Sequence, residues 1–230
     1  MATRMLRRSV GIRVATKLVD EAAMRLADQT EQAIDLIVRT RGPSIAAAVE
    51  IEQLRNPHLT PRDLAQRLTQ ERMRVVAASG AISALPGVVP GAGSTAEIAA
   101  AVADAGWLVY NEIVLVLSIA HAYGRDLREE DARRMDVLLA LAYEAGVAVP
   151  VGKTIEVLGE RIAMGAIPRD TIASVNRRIG GSVVKKVARR RVKVILGREI
   201  PLGIGVAIGA GFNYTVMRRV GRAAVKYFEL

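Results

Sequence analysis

Residues 79–124, SGAISALPGVVPGAGSTAEIAAAVADAGWLVYNEIVLVLSIAHAYG, form the longest nearly apolar tract of the chain, and their punctuation decides how the neighbouring segments fold. Ser94 and Glu97 stand three apart ahead of an apolar run. That is a capping-box pattern, in which side chains satisfy amides left unpaired at a helix start. Gly124 supplies the stop, so the spacing predicts a helix over residues 94–122. Rotating each residue by 100° puts Glu97, Asp104, Asn111 and Glu112 on one narrow stripe, while Ile98, Val102, Trp107, Val109, Ile113, Val116 and Leu117 cover the rest. A helix apolar around most of its circumference has to be covered. Either it is the central helix of an all-helical core, its polar stripe met by basic or amide donors from a neighbour, or it inserts in a membrane as a hairpin with LPGVVPG as the turn. Glu97, Asp104 and Glu112 leave no uncharged run of the roughly 18–20 residues that a free span needs.

Half of the 230 residues are hydrophobic but only 3% are aromatic. Ala, Val, Leu, Ile and Arg dominate, which favours helices packed through small residues, and the fold class expected is all-α: a compact multi-helix domain with a long central apolar helix and a Gly-rich C-terminal helix. The absence of Cys excludes disulfides and thiolate chemistry. The two histidines, His58 in a loop and His121 near a helix end, lie far apart, so neither a metal site nor any other cofactor is expected. The basic N-terminus lacks the apolar core and cleavage site of a secretory signal, and an intracellular location is expected.

The net charge of +10 is unevenly spread. Residues 1–17 hold five basic groups and no acid, residues 18–176 carry a net −6, and the last 54 residues hold thirteen basic groups against two acidic ones. Partner-binding charge therefore sits at the ends, above all in the C-terminal third.

Along the chain, helical spacing runs over residues 11–40, and Gly42-Pro43 ends it. A shorter helix is expected at 44–55. Thr60, Pro61 and Asp63 then start another that runs to Ser79. Further helices are expected at 129–145, 152–164 and 168–179, the last closed by Gly180-Gly181. In SVVKKVARRRVKVILG (182–197) the residues Val183, Val184, Val187, Ala188, Val194 and Ile195 share one arc of a helix, and Lys185, Lys186, Arg189, Arg190 and Lys193 share the opposite one. Such a helix suits an anionic membrane surface, an ordinary solvated face or phosphates, although no aromatic platform or recognition motif accompanies it for nucleic acid. The stretch Ile200–Met217 is uncharged and at the border of a span; Gly205 and Gly209 form a small-residue ridge for close helix packing, which Asn213 extends with a hydrogen-bonding group.

Two near-matches are rejected. GVAVPVGKT (146–154) has five residues between its glycines where a phosphate loop needs four, and GAGSTA (91–96) follows two prolines where a buried strand should be. Glu129, Glu130 and Asp131 mark a helix start rather than a catalytic pair.

Taken together, Ala84 to Gly87, Asp104, Ile119-Ala120, Tyr123-Gly124, Ile200 to Gly203, Asn213, Arg218 to Gly221 and Tyr227-Phe228 resemble the EcsC family over residues 60–228. The resemblance divides the chain into N-terminal helices at 1–59 and an EcsC-like helical domain at 60–230. It implies membrane association without an established enzymatic activity. The leading expectation is a non-enzymatic protein peripheral to the cytoplasmic face of the cell membrane. It binds anionic lipid through Lys185, Lys186, Arg189, Arg190 and Lys193 and packs through Gly205, Gly209 and Asn213. A membrane protein such as a transporter, or a second copy of the chain, is its implied protein partner. The alternative is a soluble helical module that binds a hydrophobic ligand or a protein partner in an apolar groove, with a pocket along the 94–122 helix.

Overall fold

The computed structural model describes residues 2–83, 95–146, 173, 174, 176, 180–189 and 205–229, and gives side chains for these outside 2–19, 79–83, 95–105, 205–210 and 212. The described residues form an all-α fold. In order come α1 (Ala2–Thr40), α2 (Gly42–Arg55), α3 (Pro61–Ser83), α4 (Thr95–Ala122), α5 (Glu130–Glu144), α6 (180–189) and α7 (Gly205–Phe228). No strand occurs among the described residues.

The helix boundaries follow local chemistry. Asp63 donates its amide to Thr60 Oγ1 at 3.2 Å and accepts the Thr60 hydroxyl at 2.6 Å, so Thr60 caps α3 as its spacing predicts. Gly124, at φ +81°, ends α4: its amide bonds the His121 carbonyl at 2.8 Å, and the Arg125 amide reaches back to Ala120 at 3.0 Å. This paired closure needs a left-handed residue, which glycine adopts without a Cβ penalty. Helix α1 ends at Thr40, as Gly42-Pro43 predicts, and Pro43 then sits in the first turn of α2, where an amide has no helical partner to lose.

Helix α3 runs to Ser83, four residues past its expected end at Ser79. Helix α7 continues through the uncharged run to Phe228, because buried Val220, Ala223, Ala224 and Tyr227 carry the helical periodicity on between the basic residues. Gly180 and Gly181 are helical and open α6 as described, and Gly180 is buried where a side chain would meet Leu138 and Arg134. The segments expected at 152–164, most of 168–179 and the 84–94 turn lie outside the described residues.

Helix α4 is the centre. Every residue from Asn111 to Ala120 is buried, and α1, α2, α3, α5 and α7 all pack against it. Each fully buried Ile or Leu, such as Ile113, Leu115, Leu117 and Ile119, contributes about 1.5–3 kcal/mol relative to exposure. The covered-helix reading of the long apolar tract is the one the structure shows. Helix α5 is nearly as deep, with Met135 to Ala142 buried. At its start the buried Arg133 guanidinium donates to the Val38 carbonyl, a group that the end of α1 leaves without a helical partner. Burial holds the Arg133 pKa below its ordinary value, while Glu130 and Asp126 pull it up. Next to it, Arg134 pairs with Glu31 at 3.4 Å and with Asp35, tying α5 to α1.

Candidate functional site

The expected lipid-binding helix is corrected by its own apolar face. Val183, Val184, Val187 and Ala188 of α6 are buried in the protein core, so the surface that an interfacial helix would insert between lipids is already covered by protein. Lys185 and Lys186 are exposed, and Arg189 lies 3.5 Å from Asp20 of α1; Arg190 and Lys193 fall outside the described residues. No helix among the described residues is long and apolar enough to cross a membrane. These findings overturn the membrane-associated reading. They support neither an anionic lipid surface nor a membrane protein as the partner.

The polar stripe of α4 is half visible. Glu97 and Asp104 belong to α4, with side chains outside those described; Asn111 and Glu112 are both fully buried. Asn111 accepts a hydrogen bond from Arg72 of α3 at 3.3 Å and donates to the Trp107 carbonyl at 2.8 Å, the basic donor that the stripe called for. Desolvation lowers the Arg72 pKa, which Glu71 and Tyr110 partly oppose. His121 bridges the Arg125 carbonyl and the Glu50 carboxylate at 3.3 Å each, a helix-end role, and His58 is exposed in its loop.

Of the residues expected to mediate close packing, Gly205 and Gly209 lie in the first turns of α7, with surroundings outside those described, and Asn213 is buried. The close approach that the structure does display is at Gly221. A Cβ there would stand 2.5 Å from both Cγ2 and Oγ1 of Thr69 on α3. Thr69 is itself buried and donates its hydroxyl to the Ala65 carbonyl at 2.7 Å, so its side chain is held in place.

That contact is the floor of a groove of about 770 Å³ between α3 and α7. The helices run antiparallel, since Thr69 meets Gly221 while Arg62, at the start of α3, lies 3.6 Å from Glu229, just past α7. Two ridges of side chains, each repeating every four residues, form the walls: Arg62, Gln66 and Gln70 on α3, and Tyr214, Arg218, Arg222 and Lys226 on α7. Met73 and Val225 line it between them. From residue 62 to 73 the α3 wall is about 16 Å long at 1.5 Å per residue. Four cations thus line one groove, with the Lys226 ammonium also 5.5 Å from the centre of the Tyr143 ring on α5, against Glu229 as the one acid among its lining residues. Like charges four apart on a helix repel, so the Arg218–Arg222–Lys226 ladder costs the isolated helix a few tenths of a kcal/mol per pair. Among the described residues neither Arg218 nor Arg222 has an ion-pair partner. The signal for this wall was in the sequence, as the four-residue spacing of Tyr214, Arg218, Arg222 and Lys226; the second wall was not.

The opposite face of α7 is anchored by a buried polar pair. Tyr227 donates its hydroxyl to Asp136 of α5 at 2.9 Å, and both residues are almost fully buried. Desolvation raises the Asp136 carboxyl to about 6, against the pull of Arg125 and of the Tyr227 hydrogen bond. The Tyr227 phenol is pushed up by burial first and by Asp136 next. Beside them Phe228 stacks on Tyr123, centroids 6.2 Å apart, with the Arg125 guanidinium 5.6 Å over its ring.

A smaller depression of about 370 Å³ lies between α2 and α3 and reaches α4 at Leu115 and Ser118, with half-exposed Ile51 and Val75 at its edge. It is the pocket along α4 that the alternative reading expected. Among the described residues no cluster of His, Asp and Glu has the makings of a metal site.

Compared with known protein families, curated proteins and solved structures, the chain matches none. The resemblance to the EcsC family therefore rests on its sequence features alone.

Proposed function

We propose that this chain is a helical binding module whose α3–α7 groove takes an acidic segment of a protein partner. The observation that carries the reading is the cation ladder: Arg218, Arg222 and Lys226 on one wall and Arg62 on the other, facing a groove with one acid in it. Charge of one sign along a partly apolar cleft steers and orients a partner of the other sign. The length of the groove favours a chain segment over a compact small molecule. Thr69, Met73, Gly221 and Val225 offer a floor on which apolar side chains of that segment can rest. Of the alternative drawn from the sequence this keeps the helical module and its protein partner, and replaces the apolar groove along α4 with a cationic one between α3 and α7.

The test is fluorescence anisotropy with a labelled Glu-rich peptide that carries a few leucines, beside a Gln-substituted control of the same length. The acidic peptide should bind at low salt and weaken as salt rises. The double variant Arg218→Glu, Arg222→Glu should weaken it by roughly tenfold, whereas Lys185→Glu, Lys186→Glu on α6 should change it by less than about twofold. Equal losses from both variants, or equal binding of the Gln control, would overturn the proposal. Tighter binding of a single-stranded oligonucleotide than of the peptide would do the same.

A further inference from the structure

We infer that the α3–α7 groove ends in a carboxylate subsite, made by the Arg62 guanidinium and the Tyr123 hydroxyl, which Glu229 fills until an acidic side chain of the partner displaces it. The inference rests on the reading of the groove as a site for an acidic segment, and adds which chemical group is recognised and where. Three elements converge on one oxygen. Glu229 Oε1 lies 3.6 Å from Nε of Arg62 at the start of α3, and accepts a hydrogen bond of 3.0 Å from Tyr123, just past α4. Tyr123 is held for this by its stack on Phe228. Its phenol is pushed up to about 12, by burial first and then by Glu229, with Asp63 adding to the rise and Arg62 opposing it. It therefore stays a protonated donor wherever the protein is folded at ordinary pH.

The arrangement is built to exchange. The Arg62 side chain is 65% exposed and that of Glu229 35%, so the pair is solvated and weak, and a second carboxylate that also rests on the groove floor competes with it. Glu229 belongs to the groove lining, one turn beyond Lys226 and Val225, so a segment lying along the ladder reaches Arg62 with its next acidic side chain.

The experiment compares the affinity of the labelled Glu-rich peptide for the wild type, Glu229→Gln, Arg62→Gln and the double variant, with circular dichroism confirming that each folds. Glu229→Gln should bind about three- to fivefold tighter, the modest gain expected on removing an exposed competitor. That gain should vanish when Arg62 is already Gln, because the competitor acts through Arg62. Equal binding by wild type and Glu229→Gln overturns the subsite, and so does a gain of the same size in the Arg62→Gln background, which marks a general change in field. Either result leaves the groove reading standing if Arg218→Glu, Arg222→Glu still weakens binding by roughly tenfold. No binding by any of the four overturns the groove reading and the subsite with it.

Discussion

Helices α6 and α7 carry the same kind of sequence, cations alternating with Val and Ala, yet they do different work. Each buries its apolar face: Val183, Val184, Val187 and Ala188 on α6, and Val216, Met217, Val220, Ala224 and Tyr227 on α7. The difference lies in what stands opposite the charged face. Lys185 and Lys186 of α6 point to solvent, and Arg189 has an exposed carboxylate beside it. Arg218 and Arg222 instead face a second wall, because α3 lies against α7 closely enough for Thr69 to crowd the bare backbone of Gly221, and Lys226 lines the same groove beside Tyr143 of α5. A basic amphipathic helix becomes a candidate site when a neighbour turns its charged face into a groove.

The comparison can be pressed hardest at the anchors. Helix α7 is held through the buried Asp136–Tyr227 bond, α6 by valines and a surface ion pair. The folded pKa of Asp136, about 6, lies above its ordinary 3.8, so protonation favours the fold. Its contribution is fully present below about pH 4 and is lost as pH rises through about 6, a difference of about 3 kcal/mol at most. Asp136→Asn keeps an acceptor for Tyr227 and removes the charge. Urea denaturation should show the variant gaining stability at pH 7 and losing the wild type's decline between pH 4 and 6.5; an unchanged decline would place the titrating group elsewhere. In size the next effect is at the helix contact. Gly221→Ala should lower stability by about 2 kcal/mol through its clash with Thr69. Gly181→Ala on α6, where nothing lies within 4 Å of the new methyl, should raise stability by up to about 1 kcal/mol through helix propensity. Denaturation midpoints measure both, and matching losses would mean that α6 is as tightly packed as α7. The smallest effect belongs to the surface pair: Arg189→Gln should cost less than about 0.5 kcal/mol in the same assay.

Much of the fold was legible because its signals are local. Thr60 and Asp63 announce the start of α3, Gly124 ends α4, and the near-unbroken apolar surface of residues 107–120 requires a central position. The reach of α7 to Phe228 is equally local, carried by the periodicity that Val220, Ala224 and Tyr227 continue past the uncharged run 200–217. The candidate site was harder to read. The cation ladder of α7 lies in the open at four-residue spacing, but the residues that make it a groove are more than 140 positions away on α3, and no local rule connects Arg62 with Glu229 or Thr69 with Gly221. Asp136 was equally silent, an acid midway along an amphipathic helix, and only its partner 91 residues on makes it a buried anchor.

The sequence by itself determined that this protein is helical, which helix lies at its centre, and that its excess of positive charge sits in its last third. Periodicity, caps and composition act over a few residues, and so can be read without knowing the neighbours. Tertiary structure decided which basic face acquires an opposing wall and which basic helix spends its apolar face on the core. Burial and groove formation depend on surfaces brought together from distant parts of the chain. The lipid-facing role expected of α6 failed for that reason, and the α3–α7 groove exists for the same one.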